Sequence, residues 1–242
     1  MAESHAPSPD PGDEGPREFV KYSFYHLRPE WRRLPVDERR AGRAQLVRLL
    51  ESPPEDLVLR TYSTVGTHVG TEFALWMIGP DLARHQELHA RIAGTPLGGY
   101  LDLAYSYLGM AHRSEYMGEH AISEADGARR RPFDLPYLFV YPFVKKRAWY
   151  SLPFKERQRI MGEHFRIGHK YPKVLIHTGY SFGLDDPEFI LAFEAEWPGD
   201  FLDLVRDLRP SEASRYTEIE TPIFTCLKVG PARMLELAEG LP

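Results

Sequence analysis

Short aromatic runs, alternating apolar stretches and helical stripes follow one another along this chain in the same order twice. Phe19 to His26 and Tyr137 to Val144 read as extended aromatic segments. Each is followed by a Leu-Pro pair, Leu34-Pro35 and Leu152-Pro153, which places proline near the first turn of a helix. In the second half that helix is predicted over Pro153 to His169. Alternation resumes from Val174 to Phe182 and stops at the turn residues Gly183-Leu184-Asp185-Asp186-Pro187. A strand from Glu188 to Glu196 then leads into a helix from Pro198 to Leu208. Its Phe201, Leu202, Leu204, Val205 and Leu208 recur at helical spacing. A last strand is predicted over Ile219 to Val229.

The repetition extends to residue identity. Trp31, Leu34, Pro35, Glu38 and Arg39 return 118 positions later as Trp149, Leu152, Pro153, Glu156 and Arg157. The same shift lays Tyr62-Ser63 on Tyr180-Ser181, and a two-residue slip lays Glu72-Phe73 on Glu188-Phe189. Repeats of this kind reset the expected fold. Each half reads β-α-β-β-α-β, the split ferredoxin-like motif. Two copies can place two antiparallel sheets face to face with helices outside, an α+β dimeric barrel within one chain. The expected organisation is a disordered leader over 1–17, a first half over 18–118, a polar linker over 119–132 and a second half over 133–242.

Composition narrows the partners. The net charge of -5 gives no basic footprint for nucleic acid or an anionic membrane. No apolar run is long enough to span a bilayer. A single cysteine, Cys226, excludes an internal disulfide framework and suits a reducing compartment. The start of the chain is acidic and proline-rich, without the apolar core of a secretory signal, so the expected location is the cytoplasm.

A duplication lets one half act as the control for the other. Under the 118 shift, His164 falls on Leu46, which lies among Val47, Leu49 and Leu50. One helix therefore carries an imidazole where its twin carries a plain core residue. A neutral imidazole facing a cavity can ligate iron, and a core histidine satisfied by one hydrogen bond would give the same spacing. His85 and His89 are four apart on a predicted helix and could share a metal, but no third ligand is evident and a solvated face is expected. Asp185 and Asp186 are expected to cap backbone amides in their turn.

The segments that distinguish the second half are Tyr141-Pro142-Phe143-Val144-Lys145, Trp149-Tyr150-Ser151-Leu152-Pro153, Glu163-His164-Phe165-Arg166-Ile167-Gly168 and Tyr180-Ser181-Phe182-Gly183-Leu184-Asp185-Asp186. Glu212-Ala213-Ser214-Arg215-Tyr216-Thr217 and Thr221-Pro222-Ile223-Phe224-Thr225 continue the series. Together they resemble the chlorite dismutase superfamily of haem proteins over essentially all of 137–226. The resemblance implies the duplicated barrel, haem bound by the second half alone, His164 as axial iron ligand and a homo-oligomer, typically a pentamer.

It also separates two chemistries. Chlorite dismutases carry a distal arginine on the strand after the ligand helix, and that position here falls on Ile176 or His177. Coproheme decarboxylases use hydrogen peroxide to convert iron coproporphyrin III to haem b. The resemblance implies Tyr141 as their reactive tyrosine, Lys145 and Arg215 as propionate-binding cations, and Trp149 and Ile176 as lining of the cofactor site. For the distal acid-base group it offers His120, with His177 as a second candidate. The decarboxylase is the favoured expectation. Chlorite or peroxidase activity, and a non-catalytic haem carrier or sensor, remain the alternatives.

Overall fold

The structure, a computed structural model, describes residues 17–112, 114–116 and 131–241. His120, the leader over 1–16 and most of the expected linker lie outside the described residues. In chain order the elements are β1 (Phe19–Leu27), α1 (Val36–Glu51), β2 (Val58–Ser63), β3 (Phe73–Gly79), α2 (Leu82–Ala93) and β4 (Leu101–Ala111). The second half has β5 (Tyr137–Lys145), the short α3 (Arg147–Tyr150), α4 (Phe154–Gly168), β6 (Val174–Tyr180), β7 (Phe189–Ala195), α5 (Pro198–Leu208), β8 (Thr217–Ile219), β9 (Phe224–Lys228) and α6 (Pro231–Glu239).

The strands form one sheet that closes on itself. Its order is β7-β6-β4-β1-β3-β2-β9-β5, and β5 returns to pair with β7. Every pairing is antiparallel, and β8 joins β5 beside the ring. Closure leaves the ring without a bare edge. Within the sheet, among the described residues, strands of the two halves pair along two seams, β4 with β6 and β2 with β9. Strand alternation then divides the side chains. Tyr22, Phe24, Tyr62, Trp76, Leu138, Val140 and Phe224 fill the barrel, and the opposite residues of the same strands face the helices. Among the described residues, no helix is long and apolar enough to cross a membrane.

The repeat holds at atomic detail. Trp31 sits 5.5 Å from Tyr100 at 56°, and Trp149 sits 5.4 Å from Tyr216 at 58°. Pro35 and Pro153 take the same extended conformation, each as the residue before its helix rather than inside the first turn. Glu72 accepts from the amide of Leu27 at 2.8 Å, and Glu188 accepts from the amide of Lys145 at 2.8 Å. These carboxylates tie down the end of the first strand of each half, which explains why the Glu-Phe pair repeats.

One matched pair is coincidental. Thr64 donates its amide to Glu72 O as Ser181 does to Glu188 O, so Ser181 is the counterpart of Thr64 and not of Ser63. The true shift here is 117. A one-residue slip reverses the face of a strand, and Tyr62 points into the barrel while Tyr180 packs against Phe189 outside it.

Two other expectations are corrected, and one element is added. The strand predicted over Ile219 to Val229 is broken into β8 and β9 by 220–223, where Pro222 cannot donate to a ladder. Pro231–Glu239 forms α6, which sequence periodicity did not reveal. The His85 and His89 face is not solvated. His85 shares the inward stripe of α2 with Leu88 and Ile92, and His89 hydrogen-bonds Tyr25 Oη (2.7 Å) and Ser23 Oγ (3.2 Å). The turn reading holds: Gly183 has φ 74°, and Asp185 accepts from the amides of Leu108 and Asp186.

Candidate active site

The site is built from the faces of α4 and of the sheet beneath it. In the first half, α1 buries Leu46 and Leu50 in one continuous core with Phe73, Leu75 and Met77 of β3. The positions 118 residues on from Leu46 and Leu50 are His164 and Gly168, and neither is fully buried. A Cβ atom added at Gly168 would meet nothing within 4 Å. The sheet below tells the same story. Phe73 and Leu75 are 1% exposed, whereas their counterparts Phe189 and Leu191 are half-buried. The single fully buried residue of α4, Ile160, belongs to a separate small cluster with Trp149 and Ala213. The outer face of β5, β6 and β7 is thus less filled on its α4 side than its counterpart under α1, which marks the space between them as the candidate cleft.

His164 forms one wall of that cleft. It makes no hydrogen bond among the described residues, and its ring lies 6.0 Å from Phe165. Burial, helped by the nearby charge of Lys145, lowers its pKa to about 4. The imidazole is therefore neutral at pH 7, with a nitrogen lone pair available to a metal.

The floor is apolar, with Tyr141, Ile176, Leu191 and Phe193 in one cluster. Tyr141 is 8% exposed and stacks on Phe193 at 5.9 Å and 14°. Burial pushes the pKa of its phenol well up, and the charge of Arg209 opposes that rise only partly. Its hydroxyl makes no hydrogen bond among the described residues.

Lys145 closes one end. Its ammonium lies 4.7 Å from the Trp149 ring and 5.2 Å from Phe143, and it donates to Ala213 O at 3.3 Å. Burial lowers its pKa to about 8, with Glu188 acting in the opposite direction. Glu188 itself is occupied by the Lys145 amide, Tyr150 Oη (2.6 Å) and Arg147 (3.3 Å). Arg215 is exposed on the turn Glu212–Tyr216 and has no carboxylate partner among the described residues.

The expected site residues thus divide. His164 and Lys145 are near neighbours, Tyr141 and Ile176 share the apolar cluster on the outer face of the sheet, Trp149 supports Lys145, and Arg215 is exposed on its turn. His177 is not brought to them. It is on the other face of β6 from Ile176, 2% exposed, beside Trp76 (4.8 Å) and Phe133 (5.3 Å). There it donates to Glu194, which also accepts from the amides of Phe133 and Leu135. This histidine anchors the chain entering β5, so it is set aside as a distal acid-base group.

Two residues had no sequence signal. Arg209 follows the last turn of α5 and pairs with Glu220, which precedes β9. With Tyr141, Phe139, Phe201 and Thr225 they border a cavity of about 310 Å³. Their meeting depends on the break between β8 and β9, which periodicity did not show.

The donor set suits a flat, carboxylate-bearing tetrapyrrole: a neutral unpartnered imidazole, an apolar floor, and cations at the margin. The chlorite dismutase family profile matches residues 39–229, and the chain belongs to that family. It is 34% identical over 165 residues to a coproheme decarboxylase of Mycolicibacterium smegmatis, covering 68% of this chain and 70% of that protein. It is 25% identical over 211 residues to a chlorite dismutase of Ideonella dechloratans, covering 83% and 72%. In three dimensions it matches a mutant chlorite dismutase of Candidatus Nitrospira defluvii with a TM-score of 0.84 at 23% identity, over 92% of this chain and 95% of that one. A Thermus thermophilus protein described as a novel heme-binding protein matches with a TM-score of 0.81 at 24% identity, over 93% and 95%. At these identities the structural matches speak for the fold, which is the duplicated barrel expected from the repeat.

Proposed function

We propose that the protein binds iron coproporphyrin III through His164 and decarboxylates it to haem b, with hydrogen peroxide as oxidant. The observation that carries this reading is the pairing of an unpartnered neutral imidazole with a cleft that the first half fills with leucine. The 34% identity to a coproheme decarboxylase supports the choice of substrate. An aliphatic Ile176 on the cleft-facing side of β6 weighs against the chlorite reaction, in which the resemblance implies an arginine on that strand.

The bound tetrapyrrole supplies a peroxide-activating iron and is itself the substrate. For each propionate converted to vinyl, one hydrogen peroxide and one proton are consumed, and carbon dioxide and two waters are released. The chain's part is to orient and to manage one proton. His164 offers a neutral nitrogen to the iron from the α4 side. Lys145, half inside an aromatic box, neutralises a propionate in a setting that has shed water, which strengthens the pairing. Burial keeps Tyr141 protonated at neutral pH, so its Oη gives up an electron only together with its proton. That coupling suits a phenol that relays oxidation to an adjacent carboxylate. The reading includes a homopentamer working in the cytoplasm.

The test is to add hydrogen peroxide stepwise to the coproheme-loaded protein and follow the products by mass. Successive loss of two carboxyl groups, ending at haem b, is expected. Tyr141→Phe should bind coproheme as the parent does and lose about 100-fold or more in decarboxylation rate. Bleaching without decarboxylation in the parent protein would overturn the assignment and leave a haem-binding protein.

A further inference from the structure

Helix α4 is fastened to the rest of the molecule in a way that its twin is not. In the first half, Arg39 donates from Nε to Leu34 O at 3.2 Å and pairs with the buried carboxylate of Glu239 at 3.3 Å, so α1 is held by its own entry turn and by α6. The residues 118 positions on are Arg157 and Leu152, but the Nε of Arg157 is buried without a hydrogen bond among the described residues. Its guanidinium donates instead to Tyr116 Oη at 2.8 Å and to Glu115 at 3.3 Å, on the chain that follows β4. The Tyr116 ring lies 5.9 Å from Phe154, the first residue of α4, at 22°, and 6.1 Å from Trp149 at 67°. Trp149 in turn carries the Lys145 ammonium at 4.7 Å. One phenol therefore touches both the helix that bears His164 and the tryptophan under Lys145. The apolar hold on that helix is small. Its one fully buried residue, Ile160, packs in the cluster of Trp149 and Ala213 that Tyr116 joins. Arg157 and His164 are seven residues apart, close to two full turns, so they share a side of α4 about 10 Å apart along its axis. A displacement at Arg157 is thus carried to the imidazole by the helix itself.

We propose that Tyr116 is a positioning residue of the site: by holding Arg157 and Trp149 together it sets His164 at a fixed spacing from Lys145, so that one tetrapyrrole meets iron ligand and propionate cation without rearranging them. This inference rests on the reading of the site as a coproheme site. The gain is preorganisation, since two groups fixed before binding need not be ordered by it. Glu115 is 52% exposed and adds little to the link.

The two ends of the link are removed separately and together. Tyr116→Phe keeps the ring and deletes the hydroxyl, Arg157→Gln deletes the charge, and a third full-length variant combines them. Each is loaded with iron coproporphyrin III. The Soret and charge-transfer bands, the rate of coproheme loss to a scavenging protein and the melting point of the unloaded protein are measured. Each single variant should shift the bands and speed coproheme loss about tenfold, and the double variant should add less than twofold to either. The unloaded melting point should fall by about 2–4 °C in each. Unchanged bands and loss rate in Tyr116→Phe would overturn the proposal, as would effects that multiply in the double variant. A lower melting point with an unaltered loaded spectrum would also overturn it, being the mark of a contact that only stabilises the fold. If the parent binds coproheme and shows this coupling but yields no haem b, the positioning role stands and the proposed reaction falls.

Discussion

The outer faces of the two halves were built to one plan and finished differently. Over the first half, α1 delivers Leu46 and Leu50 into a sealed core, and α6 comes back from the far end of the chain to add Met234, Leu235 and Ala238. Over the second, α4 offers His164 and Gly168 to a cleft, and Phe189 and Leu191 below remain half-buried. The strand order, the tryptophan-tyrosine contacts and the glutamate tethers are the same in both. The proposed binding site is thus the omission of a few apolar side chains from a scaffold whose twin core and closed barrel remain intact.

The comparison can be broken most sharply at His164. His164→Ala should lower coproheme affinity about 100-fold or more and remove the Soret shift on binding, while the unfolding midpoint moves little, since the residue fills no core. Unchanged binding would show that α4 does not supply the ligand. The reciprocal change, Leu46→His, should cost about 2–4 kcal/mol in denaturant unfolding, because it opens a packed site and buries an imidazole without a partner. In the His164→Ala background it should not restore a Soret shift, and restoration would mean that the first half holds a usable cleft.

Filling the cleft should have a smaller effect. Gly168→Leu recreates the residue of the twin helix, so coproheme binding should fall about tenfold while stability rises by about 1 kcal/mol from helix propensity. A fall in stability without weaker binding would show that the space at Gly168 is not part of the cleft.

The smallest effect concerns the polar patch under α2. Burial lowers the pKa of His89 from 6.5 to about 4, with Lys21 and His85 adding to the shift. Between those values the unfolded chain binds the proton more readily, so stability is fully present above pH 6.5 and declines toward pH 4. His89→Gln should flatten that part of the stability-pH curve, measured by thermal melts, and an unaltered slope would assign it to other groups.

Much of this was legible in the chain itself. Helix α5 begins and ends where its apolar stripe does, and the first strands of both halves stand within a residue or so of the aromatic runs. His164 could be singled out because the duplication supplied a leucine to compare it with. What escaped was long-range. Helix α6 is short, and what its apolar face covers lies some two hundred residues earlier in the chain. The Tyr-Ser identity misled because two residue types matched while the strand register differed by one. His177 was drawn toward the site by its strand, although alternation alone makes Ile176 and His177 face opposite ways. Arg209 and Glu220 meet only because the chain is interrupted before β9.

The closing helix has a further consequence. Pro231–Glu239 lies along α1 on the sheet face of the first half, held by Glu239 to Arg39 (3.3 Å) and Arg43 (2.9 Å). A duplicated scaffold begins with two equivalent places for a ligand. With α6 occupying one of them, the proposed reading leaves room for one tetrapyrrole per polypeptide, and the symmetry of the duplication stays visible only in the framework.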